Sequence, residues 1–106
     1  MNPTSSVKVF DIVGDLGGLD PDKAAELAKT VISVPERAAG VSLDFAGVST
    51  ISSAFANTLF LALADAAPLS LWQRVLKFAG LDRRQAEVLA RSLKAARNVT
   101  GEAAQT

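Results

Sequence analysis

The stretch from Val41 to Phe60, VSLDFAGVSTISSAFANTLF, does most to limit what this chain can fold into. Val41, Leu43 and Phe45 alternate with Ser42 and Asp44, which is the period of a short strand. Gly47 marks a turn. Ser49, Thr50, Ser52 and Ser53 then cluster where a helix should begin, and hydroxyl groups there accept hydrogen bonds from the first unpaired backbone amides. The sequence leaves open which of them caps the helix. From Ala54 to Ala67 the chain is almost wholly apolar, with Phe55, Leu59, Ala62 and Ala66 on one face and Ala56, Phe60, Leu63 and Ala67 beside it. A helix of that kind must be covered on most sides. The fold is therefore expected to form around a buried strand, a tight connection and a buried helix.

The flanking segments supply the cover. Val7 to Val13 alternates, with Val7, Val9, Asp11 and Val13 on one side and Lys8, Phe10 and Ile12 on the other, and predicts a two-sided strand. Gly14 to Leu19, GDLGGL, is a glycine-rich bend whose glycines lack the spacing of a phosphate loop. Asp20 followed by Pro21 starts a helix, because aspartate caps free amides and proline is preorganised for the first turn. That helix is expected to run to about Val34, burying Ala24, Leu27, Ala28, Val31 and Ile32, with Lys23, Glu26 and Lys29 facing water and Pro35 ending it. Leu71 to Phe78 reads as a third strand, with Trp72, Arg74, Leu76 and Phe78 opposite Leu71, Gln73, Val75 and Lys77. A helix over 70–77 is the alternative, and Gly80 with a fresh helix signal behind it favours the strand.

That signal is Asp82 with Gln85 three residues on, a capping-box pair. The helix it opens is expected to reach about Arg97, burying Ala86, Leu89, Ala90, Leu93 and Ala96. Arg84, Glu87, Arg91 and Lys94 line its outer face, and Glu87 is placed to pair with Arg91. The alternation of strand and helix predicts an α/β fold, a small layer structure with a mostly parallel or mixed sheet of about three to four strands against three helices. Residues 1–106 are expected to form a single domain, with 1–6 and 98–106 as loose termini.

Composition narrows the chemistry. The chain has no cysteine and no histidine, which removes thiolate metal sites, disulfides, the usual zinc sites, the Ser/His/Asp and Cys/His nucleophile arrangements and the commonest general base at neutral pH. The expectation is a non-enzyme with no cofactor and no metal. Asp44 has no second acidic residue near it in sequence and makes a poor hard-metal site; it is expected to accept amide hydrogen bonds from the turn after Gly47. Met1 to Ser6 has neither a basic start nor an apolar run, and Ser52, Ser53, Asn57 and Thr58 interrupt the longest apolar stretch. Neither a signal peptide nor a membrane span is predicted, and the expected location is cytoplasmic. Charge is uneven: residues 1–70 carry 4 basic and 8 acidic side chains, and residues 71–97 carry 7 basic and 2 acidic. Such a bipolar surface can steer a charged partner, and it is also what a solvated helix face looks like. Trp72 and Phe78 are assigned to the core rather than to base stacking, so no nucleic acid is expected as a partner.

Three places resemble the STAS domain, the fold of bacterial anti-sigma factor antagonists, and more closely its uncharacterised STAS-like branch. Val13 to Leu16, VGDL, is similar to that family's strand-ending Gly-Glu/Asp-Leu. Leu43 to Val48, LDFAGV, is similar to its Leu-Asp-Leu/Phe-x-Gly-Val, and Leu76 to Leu81, LKFAGL, to the strand and bend before its last long helix. The resemblance spans about Val7 to Leu93.

The resemblance implies a regulatory protein–protein interaction module that docks a partner at the helix start near Ser52 and Ser53. The implied partner is a histidine-kinase-like ATP-binding protein or an anti-sigma factor. In the antagonists, Gly-Val-x-x-Ile is followed by Asp-Ser-Ser/Thr-Gly, whose hydroxyl before the glycine is phosphorylated. Here Ser52, Ser53, Ala54 and Phe55 stand at those positions, so the usual phosphoacceptor is missing. Ser53, one residue away, is the remaining candidate for phosphorylation, and a phosphate there adds about 1.5 to 2 negative charges at a helix start. Thr50 and Asn57 complete the candidate partner-binding group, with Asp44 and Gly47 in structural roles. A second reading takes the chain as an accessory subunit of a lipid-transporting ABC system, whose ATPase would be the partner. Those subunits resemble this chain in having alanine at the phosphoacceptor position beside a hydroxyl residue, here Ser53. A third reading is a small-ligand binder using Asp44 and the serines. An uncovered strand edge near Val7 is also a pairing surface, which makes a homodimer one expected state.

Overall fold

A computed structural model describes residues 5–35 and 39–101. Three strands, β1 (Ser5–Lys8), β2 (Val41–Asp44) and β3 (Leu76–Ala79), form a parallel sheet in the order β1-β2-β3. Around them lie five helices: α1 (Val9–Val13), α2 (Pro21–Ile32), α3 (Ser53–Ala66), α4 (Leu69–Val75) and α5 (Arg83–Val99). The predicted α/β layer structure is therefore present, with two short helices more than the sequence suggested. Val41 and Leu43 of β2 are buried, as is Phe45 beyond its end, while Ser42 and Asp44 on the other face are half-buried. In register with them, Ser6 and Lys77 flank Ser42, and Lys8 and Ala79 flank Asp44. All four flanking residues are exposed. One face of the sheet is thus covered and the other is open and polar, a division that follows from the two-residue side-chain period of a strand.

On the covered face α3 lies between α2 and α5 and packs against both. This explains its apolar composition: Phe55, Ala56, Leu59, Phe60 and Leu63 are buried, and only a narrow stripe including Ser53, Ala54, Asn57 and Leu61 reaches solvent. α2 forms as expected, with the Asp20 carboxylate accepting from the Asp22 amide at 2.9 Å, Pro21 as its first residue and Ala24, Leu27, Ala28 and Val31 buried.

Three expectations are corrected. The strand placed over Val7 to Val13 ends at Lys8, and Val9 to Val13 is the helix α1. Val9 and Val13 are buried four residues apart, a helical spacing that an alternating pattern also contains. The strand placed over Leu71 to Phe78 is α4 followed by β3. Leu69, Trp72 and Leu76 are all buried, spaced as on one helical face, and the Trp72 indole N–H donates to the Leu63 carbonyl at 2.7 Å. The strand begins only at Leu76, where it pairs with Val41. Finally, α5 is rotated from its expected setting: Gln85, Leu89, Ser92 and Ala96 are its buried residues, whereas Ala86 and Ala90 are exposed and Leu93 is half-buried. Glu87 accordingly lies 3.9 Å from Arg83, one turn before it, instead of pairing with Arg91.

Ser5 and Ser6 belong to β1 and Asn98 and Val99 to α5, so the chain is regular slightly beyond the bounds expected for its core. The loose termini expected at 1–4 and 102–106 lie outside the described residues. Among the described residues, no single helix is long and apolar enough to cross a membrane.

Candidate functional site

Parallel strands all point the same way, so the segments leaving β2 and β3 and the start of α3 gather at one edge of the sheet, where ligands and partners of open α/β sheets meet the fold. The connection from Phe45 to Ser52 is held there at several points. The Asp44 carboxylate accepts from the Ala46 amide at 2.9 Å, and the Phe45 amide donates to the Ala79 carbonyl at 2.8 Å. Asp44 thus serves the turn as expected, from the residue before Gly47 rather than after it. Gly47 has φ +91°, and the Phe10 ring lies against its Cα: a Cβ there would come within 3.1 Å of the ring. Gly80, φ +72°, passes close to the same turn, leaving no room for a side chain beside the Ala46 amide and the Asp44 carboxylate.

The hydroxyl cluster divides by role. Ser52 is the cap of α3: its Oγ accepts from the Phe55 amide at 3.0 Å. The Ser49 hydroxyl donates to the Asp15 carboxylate, and the Ser49 amide donates to the Asp15 carbonyl at 3.2 Å. Thr50 is half-buried. Ser53 is the first residue of α3 and is exposed, as are Ala54 and, one turn on, Asn57. Of the predicted partner-binding residues, Ser53 and Asn57 therefore face solvent together, while Ser52 is engaged in the cap and Thr50 is partly covered.

The glycine-rich bend has a larger part than its sequence indicated. Gly17 to Leu19 form a turn of 3-10 helix beside α3, and the Gly18 carbonyl accepts from the Ser52 amide at 2.8 Å. Together with the Ser49–Asp15 pair, this contact ties the 14–19 bend to the residues that begin α3. The tie is close: a Cβ on Gly18 would lie 2.0 Å from the Thr50 carbonyl oxygen. From the opposite side Gln85, 4% exposed, donates from Nε2 to the Val48 carbonyl at 2.9 Å. Gln85 also completes the predicted capping box, with Asp82 and Gln85 exchanging bonds of 3.0 and 2.7 Å. Sequence reasoning found Gln85 as a cap but missed its hold on Val48, and it missed Gly18 and the Asp15–Ser49 pair. Asp15 stood in one of the family-like motifs, and that was the available signal.

Replacing Gln85 by alanine removes the second half of the capping box and leaves the buried Val48 carbonyl without this donor. The expected loss is about 2 kcal/mol of stability, read as a fall in Tm on the order of 10 °C for a chain of this size. An unchanged Tm would mean that Val48 is satisfied by water and that Gln85 does not brace the site.

Leu16 and Leu19, 64% and 52% exposed, stand on the bend beside this helix start. The site is a shallow surface with a hydroxyl, an amide side chain and exposed apolar groups; among the described residues no three acidic side chains gather as a metal would need. Its chemistry suits contact with another macromolecule.

A one-sided parallel sheet, a central buried helix with an exposed capped start and a braced loop in front of it define a small STAS-like layered domain. The chain belongs to the family described as STAS-like domain of unknown function (DUF4325), whose model matches residues 24–85, from α2 through Gln85. Comparison with curated proteins and with solved structures gives no match.

Proposed function

We propose that this domain is a non-enzymatic regulatory module that docks a partner protein on the start of α3, in the manner of an anti-sigma factor antagonist. The observation that supports this most is that the exposed stripe of α3 begins with Ser53, Ala54 and Asn57 at the helix start, next to the exposed Leu16 and Leu19. Polar groups bordered by apolar ones suit a transient interface, which is no more apolar than ordinary surface. The partner implied by the resemblance is a histidine-kinase-like ATP-binding protein or an anti-sigma factor. Ala54 has no hydroxyl, so control by phosphate falls to Ser53, whose exposure makes it accessible to a kinase. The same alanine supports a second reading, an accessory subunit that docks the ATPase of a lipid-transporting ABC system through this surface.

The test is co-purification from the native host with the wild-type chain and with Ser53→Asp. Because Ser53 is exposed and follows the cap, the substitution leaves the fold intact, and a negative charge near a helix N-terminus is itself favourable. The expected result is a partner retained by wild type and weakened at least about tenfold by the added charge, equivalent to about 1.4 kcal/mol. A kinase-type ATPase supports the first reading and an ABC ATPase the second. Capture of the same proteins equally by both forms places docking elsewhere.

A further inference from the structure

We infer that the outer edge of β3 is a second docking site, which takes an extended acidic segment of a partner protein as a fourth strand. This site is separate from the start of α3 and does not rest on the function proposed for it. Among the described residues no strand pairs with that edge. The Ala79 carbonyl points inward, accepting from Phe45 at 2.8 Å, and backbone groups alternate sides along a strand, so the N–H and C=O of Phe78 face outward. An unpaired edge of this kind is a template for another strand.

The groove next to the edge distinguishes it from an ordinary free edge. α5 packs on α3 and leaves a gap beside β3. Two adjoining clefts of ≈ 250 and ≈ 210 Å³ share Phe60, Phe78 and Leu93 as walls. Phe78 is 36% exposed, although its ring lies 6.2 Å from that of Phe45 and 6.4 Å from that of Phe60. Every second side chain of an added strand would point to the helix-covered face that Val7, Leu43 and Phe78 share in register, and at this edge that face opens on the groove.

Charge selects the occupant. At one end of the groove Arg97 of α5 reaches Gln73 of α4 at 3.0 Å, and Lys94 lies exposed one turn after Ala90. Arg74 and Lys77 are exposed on α4 and β3. The ion pairs among the described residues, Lys23–Glu26 and Arg83–Glu87, use none of these four cations. A second copy of this chain paired edge to edge would bring the same cations against themselves, whereas a segment alternating acidic and apolar residues matches both the groove and its rim.

The probe is a short synthetic peptide of alternating Glu and Val, titrated into the isotopically labelled full chain and followed by NMR, with an alternating Lys and Val peptide as control. Saturable shifts at Phe78, Ala79, Ala90 and Leu93 from the acidic peptide alone are expected. Ala90→Glu, at an exposed helical position that tolerates glutamate, is expected to weaken binding at least about tenfold with an unchanged circular dichroism spectrum, and Ser53→Asp is expected to leave it unaltered. Absence of shifts at millimolar peptide, equal affinity for Ala90→Glu, or equal binding of the basic peptide overturns the inference. Self-association of the free chain that Ala90→Glu abolishes also overturns it, and assigns the edge to a second copy.

Discussion

Gly18→Ala is expected to lower stability by about 3 kcal/mol and to abolish partner docking at α3, although it adds a single methyl group. The added carbon would lie 2.0 Å from the Thr50 carbonyl oxygen and 3.1 Å from its carbon. These are backbone atoms, so no side-chain rotation relieves the clash. The bend must move away, which breaks the bond from the Ser52 amide to the Gly18 carbonyl and strains the Ser49–Asp15 pair. Overpacking of this kind costs about 1–3 kcal/mol and the lost hydrogen bond about 1 more. Gly14 is the instructive comparison. It has φ +76° and ψ −175°, a region almost restricted to glycine, and a Cβ there would meet no atom within 4 Å, so Gly14→Ala is penalised only by its backbone conformation, about 1–3 kcal/mol. Urea denaturation of both variants, with the docking assay, checks the contrast: Gly14→Ala is expected to keep docking, and a loss below about 1 kcal/mol for Gly18→Ala would show that the bend gives way there and is not tied to Thr50.

Trp72→Ala is expected to cost about 4 kcal/mol, a large part of the roughly 5–15 kcal/mol that holds such a domain folded. Trp72 is 2% exposed and carries the largest side chain of the core. Its indole N–H donates to the Leu63 carbonyl in the last turn of α3, an oxygen that also accepts from the Ala67 amide at 3.2 Å. Trp72 therefore both fills the space under α4 and fastens α4 to the end of α3. Trp72→Phe separates the two contributions: it keeps most of the apolar volume and loses the donor, for an expected cost of about 1–2 kcal/mol. Equal melting temperatures for Trp72→Phe and wild type would assign the whole effect to packing.

The contrast between these residues shows what the sequence could and could not disclose. Asp20 with Pro21 and Asp82 with Gln85 were legible because a cap and its helix are neighbours in the chain, and both bonds form as expected. Val41 to Phe45 was legible because one buried face imposes a strict alternation. Leu71 to Phe78 was not, since Trp72 and Leu76, four residues apart, satisfy both periods; Leu69, outside the alternating window, was the residue that favoured a helix. Val9 to Val13 failed for the same reason. The site was half legible. Ser53 and Asn57 could be placed on one exposed stripe by their spacing, but Gly18 against Thr50 and Gln85 against Val48 join residues 32 and 37 positions apart, and no local pattern announces such contacts. Phe10 against Gly47 is likewise a contact between distant segments.

The brace also bears on the docking proposed for the start of α3. Held by Gly18 on one side and Gln85 on the other, the loop presents Ser53 and Asn57 without having to be ordered by the partner, which spares the interface that entropic cost. The measurement that tests this most directly is amide hydrogen exchange of the chain alone and in complex with the partner it retains. The account predicts slowed exchange in the complex over residues 14–19 and 49–57, lost in Ser53→Asp. Protection confined to β3 and α5, with 49–57 exchanging as in the free chain, would contradict docking at the start of α3.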